Sequence, residues 1–342
     1  MSMKVSLGGQ AGGSGVHTGT WADDNAMFLK VFAGEVATAF SEKNLMLPLT
    51  RTRTISSGRS AQFPLTGKAS AKYHTPGESL ITDTDAGSTD YLSTMKVNEK
   101  LVKIDDLLVS SCFIDSLDEA KAHYDYRGPF TSELGKSLAV ELDKNIIRSM
   151  YQSSVGTVDD PIVAGMGAVN LGATTKAGIT VAGMIGAFYE AAEKMDANDL
   201  PEDGRFSVLS PELYYRLIQK AGVVGDGINL DYSGKGSLAE GTVMEIAGIK
   251  VYKSNHIDDV YADYAAPGGN NNQVDTDFTD AAIAFAGVFG HEEAVATVKL
   301  KDISIESQYL VERQGSLYVA KMACGTAPLR QDAAGHFALI DA

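Results

Sequence analysis

Six apolar residues, Phe130, Leu134, Leu138, Leu142, Ile146 and Met150, recur at strict four-residue spacing. That spacing places one side chain per turn on a slowly winding stripe, which predicts a helix of about six turns, roughly 30 Å at 1.5 Å per residue. Pro129 stands just before the row, where its missing N–H removes no helical bond, so the helix is expected to run from about residue 129 to 153. A spine of this length can serve more than one layer. The chain has 342 residues, and single hydrophobic cores stop growing at about 250–300 residues, so more than one core is expected.

Residues 1–20 are rich in Gly and Ser and carry no apolar periodicity, the pattern of a flexible arm. From Asp23 onward Met27, Phe28, Val31, Phe32, Val36 and Phe40 fall at helical spacing, predicting an amphipathic helix that ends before Pro48. Short strand-like runs follow at Thr52–Ser56, Gln62–Thr66 and Ala69–Tyr73, broken by Gly58, Pro64 and Gly67. Arg51, Arg53, Arg59, Lys68 and Lys72 occur here without an acidic residue among them, and Glu78, Asp83, Asp85 and Asp90 then follow without a base. Polarised charge and few core candidates predict a projecting hairpin whose partner is another molecule. Val97–Val109 reads as its long return strand. Ser116 and Glu119 have the spacing of a capping box, opening a short helix that should fail near Gly128.

Residues 154–178 read as a Gly-, Ala- and Thr-rich loop, followed by an amphipathic helix over Val181–Met195. A strand at Arg205–Leu209 leads through Ser210 and Pro211, a capping pair, into a helix over Glu212–Ala221, and this alternation predicts a mixed α/β domain. Thr242–Ile246 and Ile249–Lys253 read as strands joined by a tight turn at Ala247–Gly248. Tyr261–Asp280 reads as a loop. Strands resume at Ala282–Phe289, Thr297–Leu300, Ile303–Val311 and Tyr318–Cys324, with Val97–Val109 as their early sheet partner. The chain is thus expected to leave one domain, build a second and return.

The formal charge is −15, with 29 Lys and Arg against 44 Asp and Glu. Such a surface repels phosphate backbones, so sequence-reading nucleic-acid binding is not expected. Cys112 and Cys324 are far apart and form neither a disulfide framework nor a zinc motif, which fits a reducing compartment. No secretory signal opens the chain, and no apolar run approaches the roughly 20 residues of a membrane-crossing helix. Gly135–Lys136–Ser137 imitates the end of a phosphate-binding loop, but Phe130 stands where its first Gly belongs. Gly165/Gly167 and Gly225/Gly227 begin dinucleotide fingerprints that fail at Asn170 and Leu230. His17, His74, His123, His256, His291 and His336 lack metal-ligand spacing, and the Asp83/Asp85/Gly87 run lacks the closing Glu of a calcium loop, with Thr94 there instead. No Gly-x-Ser-x-Gly elbow occurs. Catalytic, cofactor and metal residues are therefore none, and an enzyme would need a site assembled from distant positions.

Met27–Phe40, Arg53–Pro64, Tyr73–Leu80 and Ile104–Leu108 resemble, in order, segments of the major capsid proteins of T-seven-like podoviruses. The likeness continues through Ala122–Ala139, Gly248–Val251, Thr297–Asp302 and Leu329–Gly335. It departs at Gly128–Pro129 and in a longer Ile81–Met95 stretch. The resemblance implies the α+β Hong Kong 97 capsid fold: an N-terminal arm over residues 1–48 and an extended E-loop over 49–100. A P-domain with its spine helix would cover 101–155, an A-domain 156–298, P-domain return strands 299–325 and a C-terminal segment near the A-domain 326–342. It implies hexamers and pentamers in an icosahedral shell around double-stranded DNA, bound without sequence preference, with a scaffolding protein during assembly and a portal at one vertex. The setting implied is the virion capsid, assembled in the host bacterial cytoplasm, with no cofactor and no membrane partner.

On this reading Arg51, Arg53, Arg59, Lys68, Lys72 and Glu78 are candidate contacts between subunits, and Phe130, Leu134, Leu138, Leu142 and Ile146 are the spine's core face. The arginines would dock on carboxylates of an adjacent copy; the alternative is that they only solvate an exposed hairpin. A protein-cargo compartment of the encapsulin kind would share the fold, and nucleic-acid content of purified particles separates the two.

Overall fold

The computed structural model describes residues 35–40, 43–67, 69, 71–74, 76, 97–104, 106–117, 127–156, 165–173, 175–220, 236–237, 242–243, 245–257 and 285–339. Its centre is α1 (Arg127–Val155), 29 residues long, with Pro129 in the first turn. Two sheets pack against it.

The first sheet has four strands in the order β1 (Arg51–Thr54), β12 (Val295–Leu310), β13 (Gly315–Pro328) and β4 (Leu108–Asp115). β12 and β13 form one long antiparallel hairpin, β4 pairs antiparallel with β13, and β1 lies parallel to β12. Sequence periodicity divides β12 in two because the register shifts between Lys299 and Lys301 and again between Lys301 and Ser304. Each shift breaks the in–out alternation that marks a strand while leaving the ladder continuous.

The second sheet has six strands, in the order β5 (Ala168–Asn170), β14 (Ala334–Ala338), β11 (Phe285–His291), β6 (Arg205–Leu209), β10 (Ile249–Lys253) and β9 (Glu245–Ile246). All five residues of β6 are buried, as expected for a strand covered on both faces. α1 lies against β11 and β14. On α2 (Val181–Ala197), Phe188 stacks 5.1 Å from Phe337 of β14, which in turn meets Phe289 of β11 at 4.8 Å. The Thr180 hydroxyl caps α2 by accepting from the Gly183 N–H. α3 (Pro211–Lys220) follows β6 directly. Between β9 and β10, Ala247 (φ 49°) and Gly248 (φ 77°) form the two-residue turn, both in the left-handed region that such a hairpin requires. β7 (Gly236–Ser237) and β8 (Thr242–Val243) form a separate short pair.

β2 (Ser60–Thr66) and β3 (Val97–Lys103) make an antiparallel hairpin outside both sheets. Its inner face is not bare: Ala61, Phe63, Leu65 and Val102 pack on Ala296, Val298 and Leu329 in a small second core. Nearly all the other buried apolar residues form one continuous cluster rather than two comparable cores, because α1 is shared between the sheets and fuses them.

Several sequence expectations change. Ala69–Tyr73 holds no strand among its described residues, and Arg51–Thr54 belongs to the four-stranded sheet instead of the hairpin. Val97–Val109 is divided between two strands, one ending at Lys103 and the next starting at Leu108, each taking a different partner. The 154–178 loop contains β5, too short to show a period. The Ser116 hydroxyl donates to the Gln314 carbonyl at 2.8 Å, and Asp115 accepts from the Leu117 N–H at 2.7 Å. The buried Ser210 hydroxyl finds no hydrogen-bond partner among the described residues, and the Ser210 carbonyl accepts from the Tyr214 N–H. Residues 27–34, Glu119 and the Tyr261–Asp280 loop lie outside the described residues.

Gly135, in the false phosphate-loop motif, has a packing role. A Cβ there would meet the Val36 carbonyl oxygen at 2.7 Å and the Ala39 Cβ at 2.8 Å, so the helical stretch 35–40 sits directly on the α1 backbone. Gly135→Ala, which stabilises an isolated helix by about 1 kcal/mol, should here destabilise by about 1–3 kcal/mol through overpacking. A urea midpoint that rises instead of falling would contradict this contact.

Candidate inter-subunit surface

The three described arginines of the candidate set lie on one short run of chain. Every residue of β1 is exposed, Arg51 and Arg53 included, and Arg59 is exposed in the turn leading to β2. Arg51 and Arg59 are held through their backbones: the Arg51 N–H donates to the Glu292 carbonyl at 3.1 Å, and the Ile104 N–H donates to the Arg59 carbonyl at 2.9 Å. Arg53 differs, because its Nη1 donates to the Gln62 carbonyl at 2.8 Å and its guanidinium lies 5.9 Å from the Phe63 ring centroid. Part of its binding capacity is therefore spent within the chain, clasping β1 to the hairpin. Lys72 is exposed in irregular chain beyond β2, and Lys68 and Glu78 fall outside the described residues.

Apolar surface accompanies these bases. The outward face of the hairpin pairs Gln62 with Leu101, Pro64 with Glu99 and Thr66 with Val97, leaving Val97 and Leu101 exposed. β4 is an edge strand and exposes Val109 and Phe113. None of these residues was singled out from the sequence as surface. Their alternation with polar neighbours reads equally well as a core face, and only the strand partners show which side faces out.

On α1, Leu134, Leu138, Leu142, Ile146 and Met150 are all buried, whereas Phe130 near the helix start is only half-buried. A neighbouring row, Gly135, Ala139 and Asp143, is buried as well. Asp143 was invisible as an interior residue, since a lone carboxylate in a helix reads as solvent-facing. It is fully buried, accepting from the Met46 N–H on Oδ1 and from the Leu45 N–H and His256 Nδ1 on Oδ2, each at 3.0 Å.

Other polar groups serve as fasteners. Arg330 makes a two-pronged contact with Asp332 (3.1 and 2.8 Å) and reaches Glu293 at 2.9 Å, fixing the turn between β13 and β14. The buried Arg205 guanidinium donates to the carbonyls of Leu200 and Pro201 and to Asp196. Among the described residues no cluster of His, Cys, Asp and Glu could hold a metal ion, and no helix is long and apolar enough to cross a membrane.

The Ser154 hydroxyl donates to the Tyr151 carbonyl at 2.6 Å, so His336 Nδ1, 2.7 Å from the same oxygen, must be the donor of that pair. Burial, and then the charge of Lys194, lower the His336 pKa from 6.5 to about 4. An unfolded chain takes up this proton near pH 6.5 and the folded one only near pH 4. Stability is therefore intact above about pH 6.5 and is lost as pH falls toward 4, by about 3 kcal/mol in all. Urea unfolding of dissociated subunits at pH 7, 5.5 and 4.5 should show a shallower loss for His336→Gln; parallel losses would dismiss this origin.

A family model described as "Gp10A-like: Major capsid protein" matches residues 62–338. The chain is 31% identical to the major capsid protein of Escherichia phage T7, over 97% of this chain and 98% of that protein. It is 30% identical to the major capsid protein of Enterobacteria phage T3, over 97% of each. Its fold overlays a subunit from the capsid structure of cyanophage P-SCSP1u with a TM-score of 0.68 and 33% identity, covering 86% of this chain and 87% of that one.

Proposed function

The chain belongs to the Gp10A-like major capsid protein family, and from that membership we propose how its parts build a shell. It is a structural protein of the phage virion, forming the capsid that encloses the DNA genome, and it is assembled in the host cytoplasm. The observation that carries the reading is the unbroken similarity to a major capsid protein over 97% of the chain.

Copies assemble into hexamers and pentamers that close an icosahedral shell around double-stranded DNA, with a scaffolding protein guiding assembly and a portal at one vertex. Residues 1–48 act as the arm. Residues 49–100 supply the E-loop, although the pairing of β1 with β12 supports a loop proper that starts after Thr54. α1, β4 and the β12–β13 hairpin correspond to the P-domain, and the six-stranded sheet to the A-domain. β14 lies in that sheet, which supports the return of residues 326–342 to it. Hairpin, arm and edge strand each reach a different neighbour. Several modest interfaces per subunit suffice, because once one contact forms the others close at high effective concentration. A net charge of −15 suits a wall to which the enclosed DNA does not adhere.

Expression alone and with the phage's scaffolding protein, followed by electron microscopy, tests the reading. Closed shells that take up DNA in a packaging reaction are expected. A stable small oligomer with enzymatic turnover would overturn it, and shells filled with protein cargo and devoid of nucleic acid would point to a cargo compartment instead.

A further inference from the structure

The Asp143 carboxylate joins three parts of the chain that are remote in sequence. It sits on the middle of α1 and holds the backbone N–H groups of Leu45 and Met46, which connect the helical stretch 35–40 to β1. It also holds His256, three residues past the end of β10. Both clients have their own local fastenings. The Leu47 N–H donates to Asn44 Oδ1 at 2.9 Å, closing the turn that carries Leu45 and Met46. The His256 N–H donates to Ser254 Oγ at 3.2 Å, and the Ser254 N–H donates to the Leu209 carbonyl at the end of β6.

We infer that Asp143 is a mechanical joint that makes the seating of residues 44–47 on α1 and the seating of the segment 254–257 on the same helix mutually dependent. A fully buried carboxylate is tolerated only while its oxygens are satisfied. Leu45 N–H and His256 Nδ1 share one oxygen, Oδ2, so each donor helps to fix the rotamer that the other requires. Removing one lets the carboxylate turn and admits water past the partly exposed edge of His256, weakening the remaining bonds. The joint therefore links the N-terminal segment to the six-stranded sheet through α1, within a single copy and whatever that copy assembles into. Coupling of this kind is reciprocal: whatever loosens one client loosens the other by the same factor.

Hydrogen exchange of the dissociated subunit tests this, read in peptides spanning 44–50 and 253–257. His256→Phe keeps the bulk and removes the donor; it should speed exchange at Leu45 and Met46 about fivefold or more. Asn44→Ala, which opens the other client's turn without touching Asp143 or His256, should speed exchange in 253–257 by a comparable factor. Asp143→Asn should loosen both at once. Exchange in the distant client unchanged within experimental error, in either His256→Phe or Asn44→Ala, would overturn the joint and leave Asp143 a local anchor. Should Asp143→Asn fail to fold, the two other variants keep the carboxylate and decide the matter between them.

Discussion

Leu138→Asp will leave no folded, soluble subunit. Leu138 is 1% exposed and stands at the centre of the apolar row on α1, flanked one turn away on each side by Leu134 and Leu142. Truncating a leucine in such a place costs about 2–5 kcal/mol through lost transfer energy and an unfilled cavity. Aspartate adds a carboxyl group that must either stay charged without partners or take up a proton and remain short of hydrogen bonds. The sum consumes most of the roughly 5–15 kcal/mol that holds a typical domain together. Since α1 packs on both sheets, no part of the described fold can be given up locally to spare the rest. Leu138→Met, nearly equal in volume, should cost under about 1.5 kcal/mol and remain folded. Soluble fraction and circular dichroism separate the two, and a folded Leu138→Asp subunit would mean that this face of α1 is not interior.

Asp143, on the same helix, shows that burial alone is not the objection to a charge. It is fully buried and accommodated because three donors converge on it. That difference marks the limit of what the sequence can disclose. The four-residue row announced α1 because every member contributes to one local period. Val181–Met195 was readable as α2 for the same reason, and Arg205–Leu209 as β6 because a short apolar run leads straight into the Ser210–Pro211 helix start. The donors that make Asp143 an interior residue come from about a hundred positions away on either side, and no local pattern records them.

Distance also explains the strand errors. β14, with the sequence Ala-Gly-His-Phe-Ala, is wholly or mostly buried yet has neither alternation nor β-branched residues; it is a strand because β5 and β11 flank it. Basic charge without acid from Arg51 to Lys72 groups β1 with the hairpin, but charge does not choose hydrogen-bond partners. Its parallel ladder with β12 pairs residues almost 250 positions apart, Arg51 with Ala296 among them. The outward face of the hairpin was legible as charged and unlegible as apolar: Val97 and Leu101 become surface only once their register against Thr66 and Gln62 is known.

Reversing the charge at all three of Arg51, Arg53 and Arg59 will abolish shells or misshape them while leaving a folded subunit. All three are exposed, and each Arg→Glu change alters the charge by two units on a stretch that contains no acid from Arg51 to His74. One exposed ion pair contributes only about 0–1 kcal/mol. In a closed lattice, however, the same contact recurs in every copy, and turning attraction into repulsion at each one is multiplied through linked interfaces. Arg53 complicates the triple variant, because its Nη1 holds the Gln62 carbonyl and its loss could loosen the hairpin from within. The double change Arg51→Glu with Arg59→Glu avoids this, since those two residues are tied by backbone bonds that the substitution retains. Circular dichroism should match the parent for the double variant, and electron microscopy of its assembly reactions should show free subunits or aberrant particles that high salt partly restores. Normal shells from both variants would show that the arginines make no contact between subunits and would leave the apolar face formed by Val97 and Leu101 as the candidate.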